Sequence, residues 1–378
     1  MKKNILIFYV LAFCQGLVFY SSVATLYRTS QGVTLYQMGI IDSFFALFMI
    51  LFELPWGIIC ARIGYKKTIL ISNLFYFLSK IVFYYATGFW GFLVERLFLA
   101  LAIAGLSGSD SALLYLSCDE ESIDHVFGKK SMLETAGMVV ASLMFTFVFH
   151  SDMKLSAFYT IIPFVISFIV SFMLDDIIES NKTKNEFNMK EFFSVLSKYR
   201  IFLLFVIVST LLTETSHMIT TFYIQLQYQK VGISIEYYGI LFLLIQFVGL
   251  GSGFFGTISQ YISKKKLVLV LTMAIMTGLI GLYFTKSIII TLLCICLIAF
   301  SKSLYQPLKS VVENENVDVN HRAFLLSYFS LFSNILCIFT NYFFGLSAQK
   351  SLNNVYILSI VFCLISYIFF EAYTQLNK

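Results

Sequence analysis

Twelve predominantly apolar runs, each about 20 residues or longer, follow one another along the chain with short polar segments between them. A helix needs roughly 20 such residues to cross the hydrocarbon core of a bilayer. Water-soluble domains carry about a quarter charged residues, whereas this chain has 12% charged and 59% hydrophobic residues. The pattern predicts an all-α membrane protein with twelve transmembrane helices. The predicted spans are about 4–27, 36–60, 68–87, 90–117, 130–149, 155–174, 200–225, 237–261, 267–285, 288–312, 323–346 and 353–373.

The longest polar interruption, Asp175 to Lys198, falls near the middle of the chain. It separates six predicted spans from six others. We therefore expect two pseudo-symmetric six-helix bundles joined by a cytoplasmic linker. The predicted boundaries are an N-terminal bundle over 1–174, the linker over 175–199 and a C-terminal bundle over 200–378.

A short internal repeat supports this division. The stretch GIICARIGYKK, from Gly57 to Lys67, aligns with GTISQYISKKK, from Gly256 to Lys266, at a shift of 199 residues. Each stretch follows the second predicted span of its half and precedes the third. One short match can also arise by chance, because basic loops recur on the inner side of a membrane. Two related halves around a midplane cavity are typical of secondary transporters.

The positions of Lys and Arg predict the orientation in the membrane. With the N-terminus inside, the inner segments hold 17 of these residues and the outer segments hold 5. Because cytoplasmic loops carry the excess of positive charge, we expect both termini in the cytoplasm and a multi-pass protein of the plasma membrane. The net charge of +5 is too scattered for a nucleic-acid partner. We expect a monomer in contact with the lipid bilayer and a small-molecule substrate.

The loop between the second and third spans resembles the signature loop of the major facilitator superfamily, G-x-x-x-D-R-x-G-R-K. The matching residues are Gly57, Arg62, Gly64, Lys66 and Lys67. Ala61 stands where the pattern has Asp, and Tyr65 stands where it has a basic residue. The runs Glu53–Gly57 (ELPWG) and Arg322–Ser327 (RAFLLS) resemble the small drug-exporter-like members of that superfamily.

The resemblance implies a transporter that rocks one half against the other, with this loop as a conformational latch. The glycines allow close helix approach, and the basic side chains can engage acidic groups and the C-terminal ends of helices. Without an Asp at Ala61, either the latch is weaker or another acid takes its place. Lys66 and Lys67 can also be plain positive-inside anchors.

Ionisable residues within apolar runs are costly in hydrocarbon and usually face a cavity or a partner. The fourth span carries Glu95, Arg96 and Asp110. Arg96 resembles the arginine of the superfamily's R-x-x-Q-G motif, although Leu99 and Ala100 replace its last two residues. We predict Arg96 and Asp110 as cavity or proton-coupling residues on a similar face of one helix. Alternatively, Asp110 bonds neighbouring hydroxyls for packing, and Glu95 and Arg96 form a pair at headgroup level.

The seventh span carries Glu214 and His217, which share a helix face because they are three residues apart. They are predicted to carry a proton or to meet a cationic substrate, although a structural polar cluster is an open alternative. Two candidate ligands are too few to predict a metal site. Glu53 either lines the cavity or caps backbone near Pro55, Asp42 is expected to be solvated, and Lys302 either faces the cavity or snorkels.

We predict a secondary active transporter that exports amphipathic organic compounds by alternating access, with protons as a candidate coupling ion. Uptake of a small metabolite by the same fold is the alternative, and a non-transporting sensor or channel is a further one. The fifth span lacks the G-x-x-x-G-P-x-x-G-G run of drug:proton antiporters, which weakens the antiport hypothesis. Motifs of ATP-binding and hydrolytic enzymes are also absent from the sequence, so we expect no enzyme, no catalytic residues and no cofactor.

Overall fold

The computed structural model describes residues 2–119, 123–149, 151–177, 197, 199–316 and 322–376. Within these ranges the regular structure is helical, with no β-strand. A backbone in hydrocarbon must satisfy its own hydrogen bonds, which is why apolar runs fold as helices. The α-helices are α1 (Lys2–Gly16), α2 (Ala24–Ser30), α3 (Leu35–Ile63), α4 (Tyr65–Tyr85), α5 (Gly88–Leu106), α6 (Ser109–Leu116), α7 (Ile123–Phe147), α8 (Met153–Ser171), α9 (Arg200–His217), α10 (Ile224–Lys230), α11 (Tyr238–Gly249), α12 (Phe255–Tyr261), α13 (Lys264–Phe284), α14 (Ile288–Glu315), α15 (Arg322–Lys350) and α16 (Leu352–Leu376).

Eleven helical stretches of the described chain are long and apolar enough to cross a bilayer. The remaining predicted span, about 130–149, corresponds to α7, which has 25 residues. Its first half carries Lys129, Lys130 and Glu134, and these charges lower its hydropathy. Together with α7, the eleven stretches account for the twelve predicted spans. Most of the predicted linker over 175–199 lies outside the described residues.

The contacts divide the chain into two compact units. The first comprises Met1–Val33, Phe44–Glu186 and Tyr238–Ile240, and the second comprises Thr34–Ser43, Phe187–Tyr237 and Leu241–Lys378. Each unit consists mainly of one half of the sequence. The first unit also includes the beginning of the eighth span, and the second unit also includes the beginning of the second span.

Equivalent helices pack together in the two units. In the first unit, α4 packs against α5 and α8, and α1 packs against α7 and α8. In the second unit, α13 packs against α14 and α16, and α9 packs against α15 and α16. The third span of each half therefore contacts the fourth and sixth, and the first span contacts the fifth and sixth.

Several spans that the sequence suggests are continuous are interrupted. A 3₁₀ turn over Ser21–Val23 precedes α2 in the first span, and a five-residue 3₁₀ segment separates α11 from α12 in the eighth span. In the fourth span, α5 ends at Leu106 and α6 begins at Ser109. Gly108 between them has a φ of 77°, which favours glycine. A helix cannot continue through that conformation.

Glycines allow helices of each unit to come into backbone contact. In the second unit, a Cβ built on Gly39 would lie 2.5 Å from Cα of Gly345 and 2.6 Å from the carbonyl oxygen of Asn341. In the first unit, a Cβ on Gly239 would lie 2.5 Å from the carbonyl oxygen of Ser142. These crossings join the beginnings of the second and eighth spans to α15 and α7, respectively, and small residues are what such crossings require.

Candidate functional site

Polar and ionisable side chains gather in the second unit where the seventh span changes its helical form. Glu214 and His217 lie on the last turn of α9, which ends at His217. A π-helix over Met218–Tyr223 follows directly, and α10 continues the span. Single π turns within α-helices occur frequently at functional sites. The predicted pair therefore lies beside an irregularity that the sequence did not reveal.

Two other helices of the unit contribute to this cluster. Lys302 of α14 has Nζ 3.4 Å from Nδ1 of His217, and the thiol of Cys337 on α15 donates to Oε2 of Glu214 at 3.7 Å. Glu214, His217, Lys302 and Cys337 are all partly exposed, although Glu214 lies 14 residues into α9. Three spans thus bring a carboxylate, an imidazole, an ammonium group and a thiol to one partly exposed cluster within the unit.

Further hydrogen bonds tie the same three helices together. Ser209 and Tyr305 have their hydroxyl oxygens 3.1 Å apart, and Thr210 donates to Ser333 at 3.0 Å. Asp42 is 9% exposed, so the expectation that it is solvated is wrong. It belongs to the second unit, and its charge acts on Glu214.

In the first unit, Glu95 lies between two arginines. Its Oε2 is 3.5 Å from Nη2 of Arg28 and 3.9 Å from Nε of Arg96. The Arg96 guanidinium also lies over the ring of Phe45, 5.3 Å from its centroid. All three charged side chains are buried. The predicted contact between Glu95 and Arg96 is present, and Arg28 is a second cation at the same carboxylate.

Lys80 and Arg28 are buried residues that the sequence analysis missed. Arg28 lies directly after the predicted span 4–27, but α2 continues to Ser30. Lys80 lies inside the predicted span 68–87 and is 4% exposed. The signal that could have identified it is the one that identified Glu95, an ionisable residue within an apolar run.

Asp110 lies at the beginning of α6 and is paired with a cation. Its Oδ2 is 2.6 Å from Nζ of Lys130 on α7, and its Oδ1 accepts a hydrogen bond from the hydroxyl of Ser111 at 3.1 Å. The expectation that Asp110 and Arg96 share a face of one helix is wrong, because the fourth span breaks at Gly108. Glu53 is exposed on α3.

The predicted latch is organised by an acid from the end of the sixth span. Oδ1 of Asp176 accepts a hydrogen bond from the backbone N–H of Lys66 at 3.3 Å. Gly64, which precedes α4, has a φ of 86° and a ψ of 166°. A Cβ on Gly64 would lie 2.7 Å from Oδ2 of Asp176. Asp176 therefore caps the beginning of α4, directly after the loop in which Ala61 stands where the superfamily pattern has Asp.

Asp175, which precedes Asp176, connects the end of the sixth span to the first span. Asp175 accepts a hydrogen bond from the ammonium of Lys3 at 2.7 Å, which holds the pKa of the Asp175 carboxyl below its usual range. The backbone N–H of Asp175 donates to Oδ1 of Asn4 at 2.8 Å, and Asn4 donates to the hydroxyl of Ser117 at 3.1 Å. The other predicted latch residues Gly57, Arg62 and Lys67 are exposed.

Metal binding finds no support in this geometry. Among the residues that the structure describes, no group of three or more His, Cys, Asp or Glu side chains is placed to hold a metal ion.

Two helical bundles with equivalent packing and ionisable residues inside apolar spans define a membrane transporter built as two related halves. A family model described as Major Facilitator Superfamily matches residues 5–341. The chain belongs to this superfamily. The predicted membership and the fold of two pseudo-symmetric six-helix bundles with twelve transmembrane helices are confirmed.

Known proteins similar to this chain are distant in sequence. Over 203 residues it is 22% identical to an uncharacterized MFS-type transporter of Methanocaldococcus jannaschii, a match that covers 52% of each chain. The match thus spans about half the length of this curated relative. The crystal structure of the nucleoside transporter NupG aligns with a TM-score of 0.81 at 16% identity, covering 100% of both chains. A bacterial homolog of the human lysosomal transporter Spinster, inward-facing and unoccupied, aligns with a TM-score of 0.74 at 15% identity, covering 98% of this chain and 96% of that chain.

Proposed function

We propose that this protein is a secondary active transporter of the plasma membrane that exports amphipathic organic compounds by alternating access, coupled to protons. Membership of the superfamily supports transport. The resemblance of Glu53–Gly57 and Arg322–Ser327 to drug-exporter-like members supports export. An aromatic content of 18% suits binding of amphipathic ligands, since ligand pockets are lined mainly by apolar and aromatic side chains.

The position of Glu214 is the observation that carries the coupling hypothesis. Glu214 is only partly exposed and lies within a span, where an ionised carboxylate costs at least about 2.5 kcal/mol on insertion scales. A carboxyl group that is exposed alternately to water and to a closed protein interior would therefore release and take up a proton. Lys302 and Asp42 are charged side chains of the same unit that act on Glu214. Asp110 is the second candidate acid, and its ion pair with Lys130 is what a change of protonation would break.

A second candidate function is movement of a small metabolite into the cell by the same fold. The likeness to the nucleoside transporter NupG favours it. A sensor or channel is a third reading, and equivalent packing in the two units argues against a channel, which usually builds its pore by oligomeric symmetry.

Accumulation of fluorescent amphipathic dyes, measured in cells with and without the protein, tests the direction of transport. Lower accumulation with the protein, reversed by a proton uncoupler, is the expected result. Higher accumulation would indicate uptake. Equal accumulation of every dye, with or without the uncoupler, would contradict export.

Proteoliposomes test the coupling residues. Glu214→Gln should abolish transport driven by a proton gradient and keep substrate exchange, because the neutral amide retains the shape of the side chain. Glu236→Gln is the matched control, since Glu236 is an exposed acid of the second unit. If Glu214→Gln and Asp110→Asn both still concentrate substrate with unchanged pH dependence, neither acid couples protons.

A further inference from the structure

One face of α13 is apolar and exposed along the whole span. Val270, Met273, Ile280 and Phe284 follow one another at helical spacing, and each is between 40% and 76% exposed. Because residues three or four apart share a helix face, these side chains form one stripe. Thr277 completes the stripe, and its hydroxyl donates to the carbonyl oxygen of Met273 at 2.8 Å. That hydroxyl is therefore hydrogen-bonded without water.

The beginning of α13 carries a run of three lysines. Lys264, Lys265 and Lys266 are consecutive, and Lys266 precedes Val270 by four residues on the face of the stripe. Lys264 is paired with Glu315 of α14, whereas Lys265 and Lys266 are exposed. The positive end of the helix dipole lies at the same place and adds to the positive potential. Two exposed ammonium groups thus lie at one end of an apolar stripe.

The length of the stripe matches the thickness of a bilayer. The axial distance from Lys266 to Phe284 is about 27 Å at helical rise, and the hydrocarbon core of a bilayer is about 30 Å thick. The sequence has no charged residue between Lys266 and Lys286. Tyr261 at the end of α12 is 83% exposed, and exposed tyrosines are typical of the headgroup level. We therefore expect the stripe to face acyl chains and the lysines to lie among headgroups on the predicted cytoplasmic side.

The equivalent face of α4 is different, although the loops before the two helices belong to the internal repeat. At the shift of 199 residues, the stripe corresponds to Ile71, Leu74, Leu78, Ile81 and Tyr85. The four aliphatic residues of this set are only partly exposed. At the beginning of α4, the carboxylate of Asp176 accepts a hydrogen bond from the backbone of Lys66. Of these two helices, α13 is therefore the one that combines an exposed apolar stripe with a pair of exposed lysines.

We propose that this face of α13 binds an anionic phospholipid. The ammonium groups of Lys265 and Lys266 bind the phosphate of the headgroup, and an acyl chain lies along Val270 and Met273. Each lysine near an anionic membrane surface contributes about fivefold in affinity. A zwitterionic phospholipid offers the same chains without the net charge that complements the lysine pair. The inference is independent of the cargo and of the direction of transport.

A tryptophan on the stripe can report which lipid lies beside it. Met273→Trp places an indole about 10 Å along the helix axis from Lys266. In mixed vesicles, quenching by phosphatidylglycerol brominated in its acyl chains is compared with quenching by equally brominated phosphatidylcholine. The quenching of the two native tryptophans is measured without the substitution and subtracted. The anionic lipid should be preferred by about fivefold or more, and equal quenching by the two lipids would refute the proposal.

Variants of the lysine pair test whether these residues select the lipid. Lys265→Gln combined with Lys266→Gln should abolish most of the preference, whereas Arg at both positions should retain it because the charge is kept. Lys286→Gln combined with Lys350→Gln is the matched control, since it removes two exposed lysines elsewhere in the same unit. An unchanged preference in the first pair of substitutions, or an equal loss in the control pair, would show that Lys265 and Lys266 are not the site.

Two further measurements complete the test. Native mass spectrometry of the protein with Met273 intact should show retention of phosphatidylglycerol over phosphatidylcholine, and retention of both lipids alike would contradict the proposal without any reporter. Inorganic phosphate should reduce the lipid preference no more than sodium chloride of equal ionic strength does, because free phosphate lacks the acyl chains. If phosphate displaces the lipid and chloride does not, the lysines bind a free anion and the lipid assignment is wrong.

Discussion

Replacing Gly64 with alanine should detach the cap that Asp176 places on α4. The φ of 86° and ψ of 166° at Gly64 lie in a region open essentially only to glycine, and another residue there costs about 1–3 kcal/mol. The added Cβ would also lie 2.7 Å from Oδ2 of Asp176, so the carboxylate must leave the N–H of Lys66. Loss of an N-terminal cap costs about 0.5–2 kcal/mol. Together, the two contributions should destabilise the capped conformation of the loop before α4 by about 2–5 kcal/mol.

Hydrogen exchange followed by mass spectrometry can separate the two contributions. The cap contribution should accelerate exchange of the first-turn amides of α4 by about 2- to 30-fold. Asp176→Ala should produce the same local acceleration without backbone strain. Gly32→Ala is the strain control, since Gly32 has a φ of 88° and nothing within 4 Å of its Cβ position. The variant that combines Gly64→Ala with Asp176→Ala loses the same cap, so the acceleration of exchange due to the cap should not add up over the two substitutions.

Two results would refute this account. Wild-type exchange at the first turn of α4 in both single variants would show that Asp176 is not the cap. For the latch itself, Gly64→Leu should lower the transport rate while equilibrium ligand binding survives. Loss of binding with a normal rate per bound ligand would mean that the loop does not control the conformational cycle.

Two further predictions concern the helix crossings and the topology. Gly39→Leu should slow transport, because the Cβ of the new side chain would lie 2.5–2.8 Å from backbone atoms of Asn341 and Gly345, and overpacking costs about 1–3 kcal/mol. Gly253→Leu is the control, because the space around Gly253 is open. Equal transport rates in the two variants would contradict the prediction. Reporter fusions at the C-terminus and within residues 181–185 should both report a cytoplasmic location, and an external signal at either site would overturn the predicted orientation.

The number of spans and the family could be predicted because both depend on local patterns. Apolar run length gives the helices directly, and the residues of the loop after the second span are contiguous. The acid that caps α4 could not be predicted. Asp176 lies 110 residues from Lys66, and no local pattern connects the two positions.

Burial of charges was harder to predict than their presence. Arg28 and Asp42 lie near the ends of apolar runs, where a charged residue usually reaches water, but both are packed inside their units. The break at Gly108 was hidden because a small polar stretch is compatible with a continuous helix. Separating these cases requires the helix packing, which a single sequence does not contain.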